Sequence, residues 1–286
     1  MGIRIFRSSA SSARHAASIS FEQLRESIPI EKDINRPKPL SVVLADIHQV
    51  MEENGIPYEQ GPIYFDRALA CNPKKEKTNL ELSIKSPADW QFDSLYTQII
   101  VTDELNEFEG AVAIAYSPFG MQLAFGLTYE GRSHFAQFGE DDHIISTIAC
   151  GDFKVMAYFV MMHKVKQWFP FDNSNILAQL EKTKSLMNKT ISNDFALQFI
   201  EHFYQHSLKY NDCLETNTLV DIRDFERFTE ELRNTAIEKF AGQNTITAWD
   251  LFTHGNSLLG PGSNVNLRML IPISFIWGGY VFSRLT

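Results

Sequence analysis

The period of the hydrophobic pattern changes once along this chain, and that change limits the folds open to it. Between residues 80 and 150 apolar side chains recur at every second position. Leu80, Leu82 and Ile84 alternate with polar neighbours, and strand-like runs follow at residues 96–101, 111–116 and 121–128. That period belongs to strands with a buried side. Ser117-Pro118-Phe119-Gly120 is a hairpin-sized link, residues 103–107 make a looser turn, and residues 144–150 add one more candidate strand. Short links between successive strands predict an antiparallel β-meander. After Gly151 the pattern becomes helical. Strands followed by helices, without alternation, predict an α+β fold and argue against a doubly wound α/β fold.

The helical half divides at its capping residues. One helix covers residues 152–169 and stops before Pro170. Asp172 or Asn173 caps the next, which carries Ile176, Leu177, Leu180 and Leu186. Ser192 or Asn193 caps another, with Phe195, Phe199, Phe203 and Leu208 on its apolar side. Ile222, Phe225, Phe228, Leu232, Ala236 and Phe240 form a broad stripe on a fourth, ended by Gly242. Thr247-Ala248-Trp249-Asp250 has capping-box spacing and opens a short helix. Residues 267–285 form a last buried helix or strand. Upstream, residues 41–54 make a helix stopped by Gly55. Residues 1–40, with Pro37 and Pro39, read as a flexible tail and linker. Residues 41–286 then form a single α+β domain, β-rich over 80–150 and helical over 152–286.

Residues 1–21 hold Arg4, Arg7, Arg14 and His15 and no acid before Glu22. That composition fits either a solvated tail or a mitochondrial transit peptide. The cytoplasm, a host's cytoplasm for a phage protein, is the expected compartment, with the mitochondrion as the alternative. Cys71, Cys150 and Cys213 are widely spaced and odd in number, which suits neither a disulfide framework nor a structural zinc site. No run of 18 apolar residues is present, so no membrane partner is expected.

The formal net charge is −9, so nucleic acid would have to meet a local basic surface. The best candidate is His163-Lys164-Val165-Lys166-Gln167-Trp168-Phe169, preceded by Lys154 and followed by Lys182, Lys184 and Lys189. Lys154, Lys164 and Lys166 would contact phosphate and Trp168 would stack on a base. The same cations would also suit a helix C-terminus whose aromatics pack inward. His202 and His206 sit at i and i+4, a spacing that holds a metal when a third ligand arrives from elsewhere. The Glu that follows the first His in H-E-x-x-H is absent here. Glu140-Asp141-Asp142-His143 is a second cluster, with few oxygen ligands for a hard cation. Asp103, Glu104, Glu107 and Glu109 sit in a turn-like setting that suggests solvent exposure, and exposed carboxylates make poor general acids. Glycine-rich phosphate loops and the G-x-S-x-G elbow are absent, so no catalytic residue and no cofactor is assigned.

Thr247-Ala248-Trp249-Asp250-Leu251-Phe252-Thr253-His254, then Arg268, then Ile276-Trp277-Gly278-Gly279, resembles the tail of certain phage- and plasmid-associated proteins of unknown function. A β-rich middle closed by a cysteine, here Cys150, is also similar. The match covers about 40 residues. It departs at Leu251 or Phe252, where that family has Asn, and this chain stops soon after Gly279. The resemblance implies a mobile-element setting and work near replicating or recombining DNA. Three functions follow as expectations. The first is a non-enzymatic accessory protein binding single-stranded nucleic acid or the proteins that handle it. The second is a protein-interaction or structural module without a nucleic-acid role, binding a protein partner or itself. The third is a metal-dependent enzyme using the histidine pair.

Overall fold

In Glu109–Ser117 small and large side chains alternate. Ala111, Ala113 and Ala115 lie on one side and Val112, Ile114 and Tyr116 on the other, and all six are buried. A strand buried on both sides needs cover on both sides. The small side admits close packing, while the large side fills a wider gap.

The computed structural model describes residues 4–6, 16–27, 39–65, 68–70, 76–77, 90–92, 94–102, 109–117, 120–129, 132–135, 145–147, 174–210 and 221–286. In chain order the strands are β1 (Arg4–Phe6), β2 (Ala16–Ile19), β3 (Tyr58–Gln60), β4 (Ile63–Phe65), β5 (Ala68–Ala70), β6 (Glu76–Lys77), β7 (Trp90–Phe92), β8 (Leu95–Val101), β9 (Glu109–Ser117), β10 (Gly120–Tyr129), β11 (Arg132–His134), β12 (Ile145–Thr147), β13 (Thr190–Ser192) and β14 (Thr245–Thr247). The helices are α1 (Phe21–Glu26), α2 (Leu40–Glu53), α3 (Ser174–Asn188), α4 (Asn193–Tyr210), α5 (Ile222–Lys239), α6 (Ala248–Ser257) and α7 (Leu270–Leu285).

The fold is α+β, with an antiparallel sheet in the middle and helices in the C-terminal half. The main sheet runs β1-β2-β4-β8-β9-β10-β11, and every pairing in it is antiparallel. β3 takes the far end of β8, and β12 takes the start of β10. Between β3 and β4 the chain presses against β8. The Gly61 N–H donates to the Gln98 carbonyl at 2.9 Å, and a Cβ on Gly61 would lie 2.8 Å from that oxygen. A smaller sheet pairs β5 with β6 and β7.

The large sides of β9 and β10 join one core with α2, through Val112, Ile114, Leu123 and Phe125 on the sheet and Val43, Leu44, Ile47 and Met51 on the helix. Ala111, Ala113, Ala115 and Ala124 join a second core with the C-terminal helices. α7 is buried around most of its circumference, as a helix between a sheet and other helices must be. Pro272 falls in its first turn, where its missing N–H is harmless. Trp277 on α7 is fully buried and donates its indole N–H to the Phe252 carbonyl at 3.0 Å. A Cβ on Gly255 would lie 2.2 Å from that indole nitrogen, so α6 and α7 meet through a glycine.

Several elements differ from the sequence reading. Residues 1–40 are not wholly tail and linker, because they supply β1, β2 and α1. Ile19 and Leu24 are buried, and Ser20 and Gln23 form a capping box that starts α1. The final element is a single turn of 3-10 helix, Leu267–Met269, followed by α7. β13 and β14, too short to show a period, pair with each other and link the helix–strand–helix unit α3–β13–α4 to α5–β14–α6. The candidate strand at residues 80–84 and the candidate helix at 152–169 lie outside the described residues.

Candidate functional site

α4 carries Phe195, Phe199, His202, Phe203 and His206 at helical spacing. Phe199 and Phe203 are buried against α7, and the two histidines occupy the rim of the same contact, His202 exposed and His206 partly so. α7 answers with Tyr280 and Arg284, one turn apart. The Tyr280 ring packs 4.9 Å from Phe199 and 4.8 Å from Phe203, centre to centre. Its hydroxyl meets His202 Nδ1 at 2.5 Å. The His202 and His206 rings lie 4.1 Å apart, tilted by 31°. Arg284 lies over the other end of this group, its guanidinium carbon 3.9 Å from the Tyr280 ring centre. Burial pushes the Tyr280 hydroxyl above its usual pKa, and the Arg284 charge opposes that rise.

A second pair of cation and ring lies nearby. Arg233 of α5 bonds Glu201 at 2.7 Å and covers the Tyr204 ring at 5.1 Å. Lys189 donates to the Leu285 carbonyl at 2.9 Å and so satisfies a carbonyl at the end of α7. Of the other expected cations, Lys182 is half-buried and Lys184 exposed on α3.

Lys154, Lys164, Lys166 and Trp168 lie outside the described residues, as do all three cysteines, the Glu140–His143 cluster and Asp103, Glu104 and Glu107. Glu109 begins β9. The histidine pair is therefore the part of the expected site whose geometry is defined. Tyr280 and Arg284 complete the group, and no sequence spacing connects residues so far apart in the chain. Among the described residues, no group of three or more His, Cys, Asp or Glu side chains is placed to hold a metal ion.

Other buried polar groups hold the fold. Asp224 is 1% exposed, accepts from the Asn266 backbone at 3.3 Å and from its side-chain amide, and bonds Arg227 at 3.3 Å. Asp221 caps α5 and pairs with Arg268 at 3.5 Å, while Asn264 donates to Glu231 at 3.3 Å. Together these bonds fasten the 260–268 connection to α5. His254 is 3% exposed beside Phe240. The Thr235 hydroxyl donates to the Glu231 carbonyl at 2.7 Å, and His254 Nε2 hydrogen-bonds the same hydroxyl at 3.1 Å. A hydroxyl and an imidazole do meet here, but the imidazole is buried and the threonine only partly exposed. His48 stacks on Tyr58, meets the edge of Phe21 and bonds Gln60 at 2.9 Å, joining α1 and α2 to the sheet.

No family model, curated protein or solved structure matches this chain.

Proposed function

We propose that this chain is a non-enzymatic accessory protein of phage or plasmid type that binds single-stranded nucleic acid or the proteins that handle it. The observation that carries this reading is the α4–α7 rim. It offers an exposed and a partly exposed imidazole beside an exposed guanidinium, groups suited to base stacking and phosphate contact. The central β8–β10 part of the sheet has buried side chains on both sides, so a bound strand would lie on helices or an edge and not across an open sheet. Lys154, Lys164, Lys166 and Trp168 would extend the contact. The resemblance of the C-terminal segment to mobile-element proteins supports the same setting.

The test is fluorescence anisotropy with labelled single-stranded DNA and RNA at low and moderate salt. Salt-sensitive binding is expected. Lys164→Ala with Lys166→Ala should weaken it and reduce the salt slope by about 2. No binding at low salt, where charge attraction is strongest, would overturn the reading.

One observation favours a protein-interaction module instead. Val42, Phe195, Ile222 and Ile237 are large apolar side chains exposed on three helices of an acidic chain. Self-association that resists salt, measured by sedimentation, would support that reading. Among the described residues no helix is long and apolar enough to cross a membrane.

A further inference from the structure

The neighbouring histidines lie on the same helical face, one turn apart, with a hydroxyl already set behind one of them. We propose that His202 and His206 form a chelating site for a divalent transition cation of the zinc class, with Tyr280 as its orienting group. The argument begins with reach. Imidazole nitrogens bind Zn²⁺ at about 2.0–2.1 Å. Two nitrogens on neighbouring coordination positions are therefore about 3 Å apart. The rings lie 4.1 Å apart and only 31° from parallel, so His206, one helical turn from His202, turns about its side-chain torsions to aim its nitrogen at a cation held by His202.

The second step is the tautomer. A metal-bound imidazole ordinarily donates its other ring N–H to an oxygen, which fixes the ring's orientation. The Tyr280 hydroxyl sits at His202 Nδ1 in that position. Nδ1–H then donates to the hydroxyl, and Nε2 carries the lone pair toward the cation. Tyr280 is itself fixed by Phe199, Phe203 and the overlying Arg284. The second ring therefore approaches one that is already oriented, which lowers the ordering cost of chelation.

The third step is the coordination count. The described residues provide two ring nitrogens here and no cluster of three His, Cys, Asp or Glu ligands. His202 is exposed and His206 partly exposed, so water completes the shell and the cation keeps exchangeable positions. Such a site takes a borderline cation such as Zn²⁺, Ni²⁺ or Cu²⁺, and it disfavours Mg²⁺ and Ca²⁺, which require oxygen ligands. This inference does not rest on nucleic-acid binding.

The test is calorimetric titration of ZnCl₂ and, separately, MgCl₂ into the metal-free full-length chain. Histidine ring nitrogens are followed by ¹H–¹⁵N spectra in the same titration. Saturable zinc binding is expected, with the His202 and His206 resonances moving together, and no response to magnesium. His206→Gln, a change on the half-exposed rim, should remove this binding. Tyr280→Phe keeps the packed ring and should weaken it by about 10-fold or more. Circular dichroism establishes that each variant is folded. Wild-type zinc affinity in folded His206→Gln would overturn the proposal, and so would zinc binding that leaves both ring resonances in place. Loss of zinc binding in Tyr280→Phe equal to that in His206→Gln would still support it. Unchanged binding in Tyr280→Phe would remove the orienting role.

Discussion

His254 shows how one enclosed side chain links stability to pH. Burial first, and the Lys239 charge next, push its pKa from 6.5 down to about 4. Below pH 6.5 the unfolded chain takes up a proton that the folded chain refuses until about pH 4. Stability contributed by the neutral ring is therefore complete above 6.5, falls as pH drops through this window, and levels off below it. The whole loss is roughly 3 kcal/mol, at about 1.4 kcal/mol per pKa unit. Urea midpoints at pH 7 and 4.5 should show most of this loss in the wild type and much less in His254→Leu. Equal pH dependence in the two proteins would remove His254 as the cause. The sequence marked some single residues and concealed others. Thr247 and Asp250 were legible as a capping box because their partners are three positions apart, and the bonds are there at 2.7–3.0 Å. His202 and His206 were legible as a pair for the same reason. Tyr280 was not, because only tertiary packing brings it to His202.

At the scale of elements, the long strands and amphipathic helices announced themselves and the short paired segments did not. β8, β9, β10 and α2 each begin and end within a few residues of the expected positions, since burial on one or both sides writes a period into the sequence. β1, β2, β13 and β14 have three or four residues, too few for any period to emerge. The N-terminal pair matters most. β2 lies between β1 and β4, with Ala17, Ser18 and Ile19 opposite Phe65, Tyr64 and Ile63. A chain lacking residues 1–20 would lose Ile19 from the core and the Ser20 cap from α1, and it would turn β4 into an open edge. Losing the cap alone costs about 1 kcal/mol, and losing the burial that Ile19 contributes adds about 1.5–3 kcal/mol. We expect the truncated chain to melt at a lower temperature and to associate at concentrations where the full chain does not. Scanning calorimetry and sedimentation check both effects. A truncated chain as stable as the parent would show that these residues are dispensable to the fold, as a tail or cleaved leader would be.

At the scale of the whole molecule, the sheet is the common wall of two cores, and β9 contributes alternate residues to each. Val112 and Ile114 belong with α2, while Ala111, Ala113 and Ala115 belong with the C-terminal helices. β9 cannot lose one set of contacts and keep its place for the other, because neighbouring residues share one backbone. The two cores should therefore unfold together. Ile47 tests this, since it is fully buried in the α2 core, on the other side of the sheet from α7. Ile47→Ala should cost about 2–5 kcal/mol through lost burial and the cavity left behind. Hydrogen exchange followed by mass spectrometry should then show faster exchange in α2 peptides and, by a similar factor, in α7 peptides, although Ile47 belongs to a different core from α7. Acceleration confined to α2 would mean that the sheet separates two independently stable halves. A shared change would mean that the α4–α7 rim keeps its geometry only while the whole sheet is intact, so that distant core substitutions would weaken binding there without touching His202, His206 or Arg284.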